Sequence, residues 1–198
     1  KVANQFGIAN YVLDRILAIA IVEQIFFETA KSKCFDAYLK GGSSLVWKFG
    51  PTKVRATSDI DAVLDLEREQ VLGLIRGLEG SKYEFCTISK VTIGSEMTKA
   101  KVPGEYRIVP AALQLKLWES PWVTVRLEVL PMEDTFNGAP KSLRAADELN
   151  QLLVACGFPG LGQIPIMATE SQVAEKLHAL TEPKSDRASD LFDVAFLA

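Results

Sequence analysis

LKGGSSLVWKFGPTKVRATSDIDAVLD, residues Leu39 to Asp65, sets two glycines and two serines before an apolar run. It then places Asp59 and Asp61 in a stretch that alternates like a strand. Successive strand residues face opposite sides. Asp59 and Asp61 therefore share one face, while Ile60, Ala62 and Leu64 share the other and enter a core. Two carboxylates on one half-buried face repel each other, and keeping both ionised is costly unless a cation lies between them. A hard divalent cation, Mg2+ or Mn2+, answers that demand, since it takes oxygen ligands and leaves positions open for phosphate oxygens. Upstream, Gly41 and Gly42 let the backbone approach a ligand closely. Ser43 and Ser44 put hydroxyls and free amide N–H groups at the start of a short helix, an anion-binding geometry suited to phosphate. Taken singly, Gly-Gly-Ser is a common turn and D-x-D a frequent solvated strand end. Together, in this order, they form a phosphate cradle followed by a metal-binding pair, which is what phosphoryl or nucleotidyl transfer requires.

The rest of the chain is compatible with that chemistry. It has 198 residues, 48% hydrophobic and 24% charged, enough for one substantial core or two small lobes sharing a cleft. A net charge of -3 excludes a wholly basic nucleic-acid-binding surface and leaves room for a local basic patch. Cys34, Cys86 and Cys156 are scattered, form no CxxC, and read as small buried thiols of a reducing cytoplasm. With His178 the only histidine, a zinc site of His and Cys is not expected. The apolar stretch Ile16 to Val22 is closed by Glu23 and Gln24 and is far too short to span a bilayer. No signal peptide is visible, so a cytoplasmic protein without membrane association is expected. The chain starts at Lys1 without a methionine and stops at Ala198 inside a helical pattern, as a trimmed piece would.

Periodicity predicts a long helix from Tyr11 to Ala30, with Val12, Ile16, Ile19, Ile25 and Phe26 at helical spacing. Phe35 to Leu39 reads as a short strand, Ser43 as the cap of a helix through Phe49, and Gly50-Pro51 as its break. Asp59 to Leu64 is the next strand and Glu67 to Leu78 the next helix. Tyr83 to Ile93, Tyr106 to Leu117 and Trp122 to Leu130 read as strands. Lys141 to Cys156 reads as helix, Phe158 to Ile166 as a glycine- and proline-rich loop between lobes, and Thr169 to Leu180 and Asp186 to Leu197 as two further helices.

The segments KGGSSLVWKFG and RATSDIDAVLD resemble the nucleotidyltransferase signature of a glycine-serine turn, a short helix and a strand carrying D-x-D. More narrowly, they resemble the AbiEii/AbiGii toxin family. Lys40, Gly41, Gly42 and Ser43 match its Lys-Gly-Gly-Thr-like turn, and Arg55, Thr57, Ser58, Asp59 and Asp61 match its Arg-x-Ser-x-Asp-x-Asp-like strand, with local shifts around Thr57 and Ser58. The tail VAEKLHALTEPKSDRASDLFDVAFLA is similar to the family's later motif, on which Lys176, Arg187, Asp190 and Asp193 fall. The match covers Lys40 to Asp65 and Val173 to Phe196, and the middle only in pattern. The resemblance implies an α+β (mixed α/β) nucleotidyltransferase fold: a mixed sheet flanked by helices, with residues 1–140 as the core and residues 141–198 as a helical C-terminal lobe. It implies Mg2+-dependent transfer of a nucleoside monophosphate from a nucleoside triphosphate to a hydroxyl. The setting implied is a toxin–antitoxin or phage-defence system, with a protein antitoxin and RNA, such as tRNA, as acceptor. A small molecule or a protein hydroxyl is the alternative acceptor. A non-catalytic binding module ranks last, since both metal carboxylates are present.

Within that resemblance Gly41, Gly42, Ser43, Ser44, Arg55 and Ser58 are the nucleotide-binding candidates, and Asp59 and Asp61 hold the metal. Such enzymes often take a third carboxylate from a neighbouring strand. Glu128 lies on the polar face of Trp122 to Leu130 with Thr124 and Arg126, and either joins the metal or pairs with Arg126 at the surface. Glu133 is a weaker candidate. Lys176 either snorkels to solvent or meets nucleotide phosphate as a point charge; the resemblance favours the second. Asp190 is then its partner or a positioner of the substrate hydroxyl, unless Asp186, Arg187 and Asp190 simply pair on an exposed helix. Lys40, Lys48, Lys53 and Arg55 either steer a nucleotide or RNA backbone or are solvated.

Overall fold

A computed structural model describes residues 1–94, 107–131, 141–181 and 188–197. Glu133, Asp186 and Arg187 lie outside them. The described strands are β1 (Ala37–Lys40), β2 (Asp59–Leu64), β3 (Lys82–Tyr83), β4 (Cys86–Ile93), β5 (Val109–Leu117), β6 (Ser120–Pro131), β7 (Lys141–Arg144) and β8 (Gln163–Ile166). They form one mixed sheet in the order β3-β4-β5-β6-β2-β1-β8-β7. β2 runs parallel to β6 and β1 parallel to β8, while the other neighbours are antiparallel. The described helices are α1 (Val2–Gln5), α2 (Asn10–Ser32), α3 (Gly41–Phe49), α4 (Arg68–Arg76), α5 (Asp147–Ala155), α6 (Thr169–Thr181) and α7 (Ala188–Leu197). The expected mixed sheet flanked by helices is therefore what the chain forms.

α2 is the buried axis. From Leu17 to Phe27 every residue is buried, Glu23 and Gln24 among them, because the run is otherwise apolar and the helix touches β1, β2, β6 and β8. Val12 and Ile16, which the periodicity counts with the core stripe, are only half-buried and border a cleft instead. β2 supplies Ile60, Ala62 and Leu64, all fully buried, to the same core.

Several elements differ from the sequence reading. α3 starts at Gly41 with Lys40 as its N-cap, three residues before the serine expected to cap it. The segment read as strand from Tyr83 breaks after Tyr83, where Glu84 takes φ 51°, and resumes as β4 at Cys86. Helix α5 begins at Asp147, and Lys141–Arg144 is strand instead, because it pairs antiparallel with β8 from Lys141–Ile166 to Arg144–Gln163. β8 itself lies inside the stretch read as loop. Leu39 pairs with Ile166, which fixes β8 against the central strands. Both are short strands made by long-range pairing, with little local pattern to announce them. Among the described residues no helix is long and apolar enough to cross a membrane.

Candidate active site

The sheet register brings the carboxylates together. Asp61 lies opposite Lys40 on β1 and opposite Glu128 on β6, and Asp59 lies opposite Arg126. Paired positions on adjacent strands project to the same face. Asp59, Asp61 and Glu128 thus share the face opposite the buried one. Burial, then the charge of Glu128, push the Asp61 carboxyl up from its ordinary 3.8 to about 6; Asp59 adds to the rise, and Lys40 and Lys176 oppose it. Arg126 does not neutralise Glu128 in an isolated surface pair: its Nε stands 4.0 Å from Asp59 Oδ1. Ser58 Oγ donates to Asp59 Oδ2 at 3.0 Å, and Arg15 Nη1 donates to the Ser58 carbonyl at 3.3 Å.

Among the described residues no three Asp, Glu, His or Cys side chains are gathered closely enough to cage a metal ion as they lie. The donor set nonetheless fits a hard divalent cation. It is all oxygen, it lies on one face, and its central member is held near 6 by burial and by its own neighbours' charge.

The start of α3 abuts this face. Gly41 has φ +67°, and a Cβ there would run into the Asp61 carboxylate. A Cβ on Gly42 would lie 3.1 Å from Thr57 Oγ1 and 3.2 Å from Arg55 Nη2. Both glycines are therefore demanded by contact, the first also by backbone conformation. The first N–H groups of a helix have no partner within it, so those of α3 open beside Asp61. Gly41→Ala is expected to destabilise the fold by about 1–2 kcal/mol through the left-handed backbone alone. It should also displace Asp61, so urea unfolding and nucleotide binding should both weaken; a variant as stable as the parent would show that the contact is not enforced.

The serine hydroxyls do not point at a ligand. Because α3 begins at Gly41, Ser43 and Ser44 fall inside its first turn and turn inward, both buried. Ser44 Oγ lies 2.8 Å from the Gly41 carbonyl and 3.0 Å from Gln172 Oε1, which share its single proton, and Gln172 Nε2 donates to the Met167 carbonyl at 3.0 Å. Ser43 Oγ faces the interior against the Glu23 carboxyl, close enough to favour its charge but too loosely placed for an ordinary hydrogen bond. What Ser43 and Ser44 offer an anion is their backbone.

α6 and α7 deliver the C-terminal residues. Lys176 Nζ donates to Asp190 Oδ1 at 2.9 Å and to Asp193 Oδ2 at 2.8 Å. Arg55 grips the same Asp193 with two bonds, Nε to Oδ1 at 2.8 Å and Nη2 to Oδ2 at 2.7 Å. Burial alone would raise the Asp193 carboxyl; the bonds from Arg55 and Lys176 more than reverse this and hold it below its ordinary value. Lys176 is buried, not snorkelling, and it reaches Asp61 electrostatically. The basic cluster is largely committed within the protein: Lys40 to Glu175 at 2.9 Å, Lys48 to Thr169 Oγ1 at 3.1 Å, and Arg55 to Asp193.

Asp193, which enters the sequence reading only as a motif position, is thus the hub joining α6, α7 and the strand approach at Arg55. Its signal is the i,i+3 spacing to Asp190 on one helix face. Gln172 and Lys176, one turn apart on α6 and the two buried members of that helix, give a similar clue. Glu175 and Glu23 have no local signal.

A family model described as "Nucleotidyl transferase AbiEii toxin, Type IV TA system" matches residues 24–198. No curated protein matches. Among solved structures the chain is similar to MenT4, a nucleotidyltransferase toxin from Mycobacterium tuberculosis H37Rv, with a TM-score of 0.65 and 19% identity over 97% of this chain and 61% of that one. It is also similar to an antigenic nucleotidyltransferase-like protein from Paracoccidioides brasiliensis, with a TM-score of 0.58 and 16% identity over 93% of this chain and 75% of that one. The chain thus spans less than two thirds of the toxin's length, and at these identities the likeness is one of fold.

Proposed function

The chain belongs to the AbiEii nucleotidyl transferase toxin family, and on that premise we propose that it moves a nucleoside monophosphate from a nucleoside triphosphate to a hydroxyl of RNA, with tRNA as the acceptor. The carrying observation is the Asp61 carboxylate lying against Gly41 at the first residue of α3, with Glu128 beside it on β6. In this reading the triphosphate rests on the backbone N–H groups of Gly42, Ser43 and Ser44, where the helix start favours negative charge. Asp61, Asp59 and Glu128 are the residues to hold Mg2+, which when bound supplies charge neutralisation at the phosphates and lowers the pKa of the acceptor hydroxyl. Ser58 and Arg126 orient Asp59. Arg55 and Lys176, through Asp193, fix the position of α7 and so of Asp190. Glu128 or Asp190 accepts the proton of the incoming hydroxyl, the new P–O bond forms at the α-phosphorus, and pyrophosphate departs. A toxin of this kind works opposite a protein antitoxin, which is the partner we assign.

The test is to incubate the protein with Mg2+ and each labelled nucleoside triphosphate, with and without total tRNA. Label on tRNA that vanishes with Asp59→Ala supports the proposal. Label on protein, or label on tRNA that survives Asp59→Ala, overturns it.

A further inference from the structure

Away from the carboxylate face, α2 and α3 enclose a second feature. A cleft of about 150 Å³ lies between α2, α3 at Val46, the turn after it at Pro51, the approach to β2 at Ala56 and Thr57, and α5 at Leu149. Its walls include Val12, Ile16, Ile19, Val46 and Leu149, and Tyr11 and Arg15 at its border are exposed. Glu23 also lines it, and this side chain is 2% exposed. Glu23 Oε1 has no hydrogen-bond partner among the described residues.

We propose that this cleft is a binding site for a small molecule with an apolar body and a protonated amidine or primary amine head, the head held by Glu23. A buried carboxyl with only a loosely placed Ser43 hydroxyl beside it and Oε1 unsatisfied is costly, and such a group is normally satisfied by protein or ligand. The walls are apolar, so the body of an occupant gains from leaving water. A cavity of this volume takes a single aromatic ring. Among head groups, a cation pairs best with this residue, because charge-assisted bonds to a carboxylate are about twice as strong as neutral ones. Burial holds the Glu23 carboxyl well above its ordinary range and Ser43 opposes this only in part; a cationic head would bring the charge that lets it ionise. Arg15, the other charge lining the cleft, is turned to the Ser58 carbonyl and is exposed, so solvent screens it from the head. Glu23 plays no part in the proposed transfer, and the inference stands apart from that reading.

The test titrates benzamidine, benzamide and toluene, which share a ring and differ in head group, into the full chain without nucleotide, followed by protein-detected NMR. Benzamidine is expected to bind at least tenfold more tightly than benzamide, with toluene weakest. Glu23→Gln should weaken benzamidine tenfold or more while keeping the spectrum of a folded protein, and Ile16→Phe should exclude all three by filling the cleft. Equal binding of benzamidine and benzamide, benzamidine binding unchanged in Glu23→Gln or in Ile16→Phe, or no binding to the parent protein would overturn the proposal.

Discussion

Asp61→Asn is expected to abolish nucleotidyl transfer and, in the same molecule, to make the metal-free protein more stable. Asp61 carries its charge against burial and against Glu128, which is why its carboxyl sits at about 6 and not 3.8. At a pH well above 6 that displacement is worth at most about 3 kcal/mol of native-state destabilisation, and an uncharged amide of the same shape removes it. The sign with pH follows. The folded carboxyl binds its proton more readily than the unfolded one, so the parent gains stability as pH falls through about 6 toward 3.8. The advantage of Asp61→Asn should therefore be largest near pH 8 and fade by pH 4.5. Urea unfolding at both pH values, without divalent ions, measures it. Loss of a cation-holding carboxylate should meanwhile lower transfer by at least about a hundredfold. A variant that is inactive yet no more stable at pH 8 would mean that Asp61 is not strained by its neighbours. A stable, active variant would remove it from the chemistry.

Asp193→Ala should be the most damaging substitution to the fold itself. Asp193 is fully buried and accepts from Arg55 twice and from Lys176 once. Removing it leaves two cations facing each other, offset only by Asp190 and, at longer range, Asp61. Breaking a buried ion pair from one side typically costs about 3–5 kcal/mol. The expected result is a drop of that size in urea unfolding and increased hydrogen exchange in α6 and α7. Because the Asp193 carboxyl lies below its ordinary value, its contribution is present at neutral pH and is lost as pH falls through that lowered value. An Asp193→Ala protein within about 1 kcal/mol of the parent would mean that solvent screens the cluster after all.

Much of this arrangement is legible in the residues. Asp59–Ala62 alternates, with Ile60 and Ala62 buried and Asp59 and Asp61 half-buried, so both the strand and the shared direction of the two carboxylates follow from period two. The pairing of Lys176 with Asp190 follows from the motif. The serines mislead for a definite reason. A hydroxyl beside glycines suggests an N-cap, but the two glycines are themselves helical and the cap is Lys40, and that shift of three residues rotates Ser43 and Ser44 inward. The strands β7 and β8 are hard to read because each is four residues long and β8 carries a proline; β7 is a strand through its pairing with β8, and β8 through its pairing with β7 and β1. That Lys40 and Arg55 are committed to Glu175 and Asp193 cannot be seen from spacing either, since the partners come from the far end of the chain.

That distance has a consequence for how the protein comes into being. Arg55 and Asp193 are 138 positions apart, and Ser44 and Gln172 are 128 apart. At the pace of ribosomal synthesis, the interval between the two ends is on the order of ten seconds. During it the strand with Asp59 and Asp61 has already emerged, while the lysine and aspartates that brace it have not been made. The nascent chain therefore exposes its carboxylates before it can organise them, and the site closes in one late step when α6 and α7 arrive.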